Sequence, residues 1–403
     1  MRTPSTSKLK KVLSAIAGSY VCWAFIALVL FDCGARLSFG VWPIDHFNSP
    51  NRSWVYWATK DFRANCPPHP DIVLLGSSLM MAALHGGDAT YLNLPQNVAF
   101  HHRSAYLEHL MSDKVGAPVS TFAFAIGGQM VSDAYAITQT LLHGDARPKT
   151  IVYGIAPRDF MDNTLTSPAS TETFRYMSRI GDLSVVNLPA RSAFWERTEW
   201  AAGQASFLYN RRLDFVYLQQ KYARALLGSL LGMKDLDLVH APFPLRKIAM
   251  FELPEDNGPN ELMILPYKAG DQKYTDNSDE YRKRYRSFRM SLFNMQLSFL
   301  QRMLAYCRDE GIDLVLVNMP LTTDNVALMP PGFYDHYLNT VRSLSSNYGA
   351  HVLDLNDPQI FTKQMFADSV HLNGFGGKRL FEVLSERLAG ESRLAVSKRV
   401  TLK

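Results

Sequence analysis

Three short stretches carry residues whose types and spacing fit nucleophilic chemistry. Gly76-Ser77-Ser78-Leu79 follows the apolar run Ile72–Leu75, so Ser78 stands at a strand-to-helix turn. There a hydroxyl is exposed, and a helix N-terminus supports a nucleophile or an oxyanion. Gly127 and Gly128 follow a second apolar run, Phe122–Ile126. Bare backbone N–H groups at such a place serve as oxyanion donors. Near the C-terminal end, Asp368-Ser369-Val370-His371 is followed by Leu372-Asn373 and Gly374-Phe375-Gly376-Gly377 before a helical pattern. An Asp and a His three apart on a loop let the carboxylate orient the imidazole while its other nitrogen faces a serine. Taken singly, Gly-Ser-Ser is an ordinary helix cap, and a loop Asp-x-x-His is an ordinary structural pair. Together they point to Ser78 as nucleophile, His371 as base and Asp368 as the orienting carboxylate, with Gly127 and Gly128 as candidate oxyanion donors.

These residues need a frame, and the sequence supplies one. Ile72–Leu75, Phe122–Ile126, Ile151–Ile155, Leu314–Val317 and Val352–Leu355 are short apolar runs ending in glycine, proline or polar loops. Such runs read as strands buried on both faces. Helical patterns lie between them at Ser104–Lys114, Val131–Leu142, Phe288–Glu310 and Gly374–Leu388. The alternation predicts a parallel α/β sheet, whose ligands bind beyond the carboxyl ends of the strands. Gly127, Arg158, Asp159 and Asn318 also fall at strand ends and are candidate cleft residues. Asn318 would be a donor only if its loop folds inward. The remaining histidines (His46, His69, His85, His101, His102, His109, His143, His240, His336, His351) have no matching partners in sequence and read as surface or core residues.

Gly76-Ser77-Ser78-Leu79, Gly128 and Asp368-x-x-His371 resemble blocks I, II and V of the SGNH (GDSL-like) hydrolases. The resemblance spans Asp71–Asp159 and Ile312–Leu388. It implies a flavodoxin-like three-layer α/β fold, with Ser78 as the block I nucleophile, Asp368 and His371 completing the triad, and the amides of Ser78 and Gly128 forming the oxyanion hole. Two positions depart from the family. Ala123 stands where block II usually begins with Asn, and Arg158 stands where block III supplies an oxyanion asparagine. The single-anchor, large-insertion form looks most like envelope polysaccharide O-acyltransferases. That implies an acylated envelope glycan as substrate, an integral-membrane acyltransferase as a possible partner, and no metal or organic cofactor. A non-catalytic scaffold binding glycan or that membrane partner is a second reading, and a plain lipase a third.

The rest of the 403 residues bears on location. Residues 12–31 contain no charge and are long enough to cross a bilayer core as a helix. Basic residues lie just before them, which predicts a cytoplasmic N-terminus and an extracytoplasmic body; a cleaved signal peptide is the rival reading. The aromatics from Phe39 to Trp57 suit a membrane–water boundary or packing against the body. Net charge is +4 over residues 1–31 and +3 over 391–403, leaving −2 over 32–390, with 34 bases and 36 acids. A body so balanced has no electrostatic footprint for nucleic acid. Cys66 and Cys307 leave a disulfide open, and no cysteine spacing reads as a zinc site. The expected division is a basic tail (1–11), anchor (12–31), linker (32–70), first half-domain (71–159), mostly helical insertion or lid (160–287), second half-domain (288–390) and basic tail (391–403). Within the insertion, Asp214–Leu231 reads as an amphipathic helix, and the charged run Asp271–Arg286 as a solvated helix start or a surface for an anionic partner.

Overall fold

The computed structural model describes residues 18–42, 47, 53–65, 69–230, 262–268, 270 and 274–391. Residues 1–17 and 392–403 and Cys66 lie outside them, as does most of the proline-marked part of the insertion. The helices, in chain order, begin with α1 (Tyr20–Ser38), α2 (Trp54–Asn65), α3 (Ser78–Leu92), α4 (Ala105–Val115), α5 (Val131–Leu141) and α6 (Glu172–Ile180). They continue with α7 (Phe194–Ala205), α8 (Phe207–Asn210), α9 (Arg212–Leu230), α10 (Ser278–Arg284), α11 (Met290–Asp309), α12 (Phe333–Ser346) and α13 (Gly374–Glu391). The chain divides into two compact units, Met1–Pro50 with Phe194–Asp256, and Asn51–Ala193 with Asn257–Lys403. The stretch expected as one insertion, 160–287, is therefore shared between them.

The larger unit is built on a parallel sheet, as the apolar runs require. Its strands are β1 (Ile72–Gly76), β2 (Thr121–Ala125), β3 (Thr150–Ile155), β4 (Asp313–Asn318) and β5 (His351–Asp354). Every pair is parallel, and the spatial order is β2-β1-β3-β4-β5. Ile72 to Leu75 are fully buried, which accounts for a strand with no polar alternation. Each such side chain removed from water stabilises the fold by about 1.5–3 kcal/mol. The strand order reverses between β1 and β3, and right-handed crossovers then send helices to opposite faces. Accordingly α3, α4 and α13 pack with one another, and α5 packs with α6 and α11. The switch point leaves an opening beyond the carboxyl ends of β1, β2 and β3.

Close approach of α3 and α13 is the feature that positions the site. A side chain on Gly377 would put its Cβ 2.2 Å from the carbonyl oxygen of Ala83, and one on Gly86 would meet Gly374 at 3.2 Å. The two backbones touch because neither helix carries a side chain there. Since α3 begins at Ser78 and α13 begins three residues after His371, this contact brings Ser78 and the loop of His371 together. Asn373 caps α13, its Oδ1 accepting from the amides of Phe375 and Gly376.

In the smaller unit, Tyr20–Val41 is one helical span with mean hydropathy 1.7, long and apolar enough to cross a membrane. Residues 12–17 of the expected anchor lie outside the described residues. Asp32 of α1 accepts hydrogen bonds from Ser206 Oγ and from the amides of Phe207 and Leu208, capping α8. Phe39 meets Phe207 edge-on at 4.9 Å, and Trp42 meets Phe215 at 5.3 Å. The expected amphipathic helix Asp214–Leu231 corresponds to α9.

Candidate active site

Ser78 is the first residue of α3, directly after Ser77, whose backbone is extended. Its hydroxyl lies 2.8 Å from His371 Nε2. On the far side of the ring, Nδ1 lies 2.6 Å from Asp368 Oδ2. The carboxylate accepts from Nδ1–H, which leaves Nε2 with its lone pair toward the serine and the O–H donating to it. Asp368 is itself held in place, its Oδ1 accepting from the amides of Val370 (2.9 Å) and His371 (2.8 Å). Burial alone would raise its pKa. The hydrogen bond and charge of His371 and the two amides outweigh that, and hold the carboxyl below its ordinary value. The loop is fixed from outside by Ser369, which hydrogen-bonds Asn277 and Asn325 and whose carbonyl accepts from Thr322 Oγ1. An imidazole so oriented can take a proton from the hydroxyl as it attacks a carbonyl carbon.

Gly127 and Gly128 stand beside this chain because β2 pairs with β1 up to Gly76 and Ala125, and the Ile126 amide donates to Gly76 O. The Gln129 amide closes a turn onto Ile126 O, with Gly128 at φ +80°. That left-handed φ at the third turn position is one glycine takes without strain. Among the described residues neither the Gly128 nor the Ser78 amide has a hydrogen-bond partner. Both are therefore available to a developing oxyanion.

Of the other candidate cleft residues, Gly127 and Arg158 line a cleft beside Gly128, whereas Asp159 and Asn318 do not. Arg158 is buried, with Nε on Asp162 Oδ2 (3.1 Å), Nη2 on the same carboxylate (3.0 Å) and Nη1 on the Gln129 carbonyl (3.1 Å). Its guanidinium borders Gly128, but its donors are engaged in bracing the glycine turn. Asp159 is buried under Ala156, whose amide it accepts. Burial pushes its pKa up to about 6 despite the neighbouring Arg158. Asn318 does not fold inward to the cleft. Its Nδ2 donates to Tyr334 and Asp354, and its Oδ1 accepts from Tyr337, so it ties β4 to β5 and α12. The histidines expected in the core are satisfied there. His85 lies between the carbonyls of Met81 and His101, His101 meets Asp88, and His102 meets Asp61. His46 and His240 lie outside the described residues. Cys307 is buried, and Cys66, with which the sequence leaves a disulfide open, is outside them.

No protein-family model matches the chain, and no curated protein matches it. Among solved structures, the crystal structure of an acetyl xylan esterase, AlAXEase, is similar at 11% identity and a TM-score of 0.33. The match covers 79% of this chain and 98% of that one.

Sequence reasoning missed the cleft that opens from Gly128. It holds about 510 Å³ and is walled by Trp54, Gly127, Gly128, Arg158, Thr171 and Arg284. Trp54 stands so close to Gly127 that a Cβ there would meet its ring at 2.7 Å. Arg284 comes from α10, inside the run expected to be solvated, and pairs with Asp162 and Glu280. Asp133 also lines the cleft, accepting from Thr171 Oγ1 and the Met130 amide. Burial pushes its pKa up to about 7. Among the described residues no group of three His, Cys, Asp or Glu side chains is arranged to hold a metal.

Proposed function

We propose that this chain is a serine esterase or O-acyltransferase of the SGNH type. It acts on acyl groups, O-acetyl first among them, of a cell-envelope polysaccharide. The observation that carries the reading is the Asp368–His371–Ser78 hydrogen-bonded chain beside two unpartnered amides. In the mechanism, Ser78 Oγ attacks the ester carbonyl carbon while His371 Nε2 takes the hydroxyl proton, and the imidazolium is stabilised by Asp368. The Ser78 and Gly128 amides receive the oxyanion. The tetrahedral intermediate then expels the alcohol, which leaves with the proton from His371, and the acyl group stays on Ser78. A sugar hydroxyl, or water in an esterase, gives its proton to His371 and attacks the acyl-enzyme. Collapse releases the new ester or the acid, and Ser78 recovers its proton.

The reading places the enzyme at the cytoplasmic membrane, single-pass, with its N-terminus inside and the catalytic unit outside. The apolar helix and the basic residues before it support that. An integral-membrane acyltransferase is the proposed donor partner. A second reading, a non-catalytic scaffold, is favoured by Arg158, whose donors are engaged and which leaves the hole without a side-chain donor. Hydrolysis of p-nitrophenyl acetate by the full chain in detergent separates the two. Acetate release lost in Ser78→Ala supports the enzyme. Release that is unchanged by Ser78→Ala, or absent from the wild type, favours the scaffold.

A further inference from the structure

The proposed acyl-transfer reading leaves open what sits against Gly128 while Ser78 reacts, and the cleft there has a definite chemistry. Its two cations are already matched. Arg158 is paired with Asp162 and Asp159, and Arg284 with Asp162 and Glu280. An anionic ligand would have to break one of these pairs, and an anion binds best where a guanidinium fork is open. The wall otherwise carries hydroxyl residues, Thr173 among them, lining the same space as Trp54. A half-buried indole with hydroxyl and amide partners around it fits the apolar face and hydroxyl edges of a pyranose.

We infer that the cleft walled by Ser53, Trp54, Thr173, Arg158 and Arg284 is a binding site for an uncharged glycan, which it holds with a sugar hydroxyl near Gly128. This rests on the acyl-transfer reading for the purpose of the site, but binding is measurable without turnover. A neutral chain therefore outcompetes a uronate or polyol-phosphate chain of the same length.

The test uses the full chain carrying Ser78→Ala, in detergent, titrated calorimetrically with cellotetraose, chitotetraose, tetramannuronate and a glycerol-phosphate tetramer. The expected result is binding of at least one neutral tetrasaccharide tenfold or more tighter than either anionic one. Trp54→Ala, added to that chain, weakens it at least tenfold. Because Trp54 packs on Gly127, Thr173→Val serves as a second variant that leaves the ring in place, with a loss of threefold or more. Preferred binding of an anionic chain overturns the inference, as does neutral binding indifferent to both variants, or no neutral binding up to 10 mM. Fluorophosphonate labelling of Ser78 in the Trp54→Ala single variant is read in parallel. Labelling there shows that the nucleophile survives whatever the glycan result, and its absence from wild type as well would count against the acyl-transfer reading instead.

Discussion

His371 Nε2 stands 2.8 Å from Ser78 Oγ across 293 residues of chain. The distance is set by packing and not by local sequence. The helix that starts at Ser78 and the helix that follows His371 meet through glycines, so the serine and the loop are carried on one rigid contact. Such a contact can hold two side chains within the fraction of an ångström that proximity effects demand.

Asp368→Asn is expected to keep the fold and lose the rate. The amide oxygen still accepts from the Val370 and His371 amides. The imidazole, however, loses the charge that fixes its tautomer. Steady-state kinetics should show kcat down about 10⁴-fold with KM little changed, and a melting temperature close to wild type.

Two glycine variants should separate chemistry from packing. Gly128→Ala has room for its methyl, since the nearest atom is Arg158 Nη2 at 3.8 Å, but its φ of +80° is strained. It is expected to cost about 1–2 kcal/mol of stability and to turn the amide donor, lowering kcat about 10²-fold. Gly377→Ala drives a methyl into Ala83 O at 2.2 Å. Thermal unfolding should show the larger loss there, because helix α13 must move off α3.

Asn318→Leu tests the relocation of that residue. It leaves the buried Tyr337 hydroxyl and the Asp354 carboxylate short of a partner. Denaturant titration should show a loss of about 1–3 kcal/mol. Acyl hydrolysis per folded molecule should be unchanged, which a cleft donor would not allow.

Asp133 gives a pH signature. Its carboxyl titrates at 3.8 in the unfolded chain and at about 7 in the fold, where burial raises it. Between those values the folded protein holds the extra proton. By linkage its contribution to stability is greatest at low pH and is lost as pH rises from about 4 to about 7, with a slope of up to ~1.4 kcal/mol per pH unit. Asp133→Asn should remove that slope in thermal melts taken across pH 4 to 8.

The strands were legible because a strand buried on both faces has no choice but continuous apolar side chains, as at Ile72–Leu75. Ser78, Asp368 and His371 could be singled out because they fall where such strands and their helices end. Asn318 also falls at a strand end. What separates it from a cleft residue is the direction of the Tyr334 and Tyr337 hydroxyls, which no local pattern encodes. Arg284 sits in a charged run, and its partner Asp162 is 122 residues away. Trp54 was legible only as one of a group of aromatics, and its contact with Gly127 depends on how the first helix of the larger unit meets a strand end. The division of 160–287 between two units was hidden for the same reason. The cap that Asp32 places on α8 spans 174 residues to Ser206.

The most direct test of the account is covalent labelling of the full chain with a fluorophosphonate, read by intact and peptide mass, beside His371→Ala. A Ser78–His371–Asp368 triad should give a single adduct on Ser78, lost in the variant. A well-folded protein that takes no adduct, or takes one on Ser78 equally well without His371, would contradict a triad-activated nucleophile.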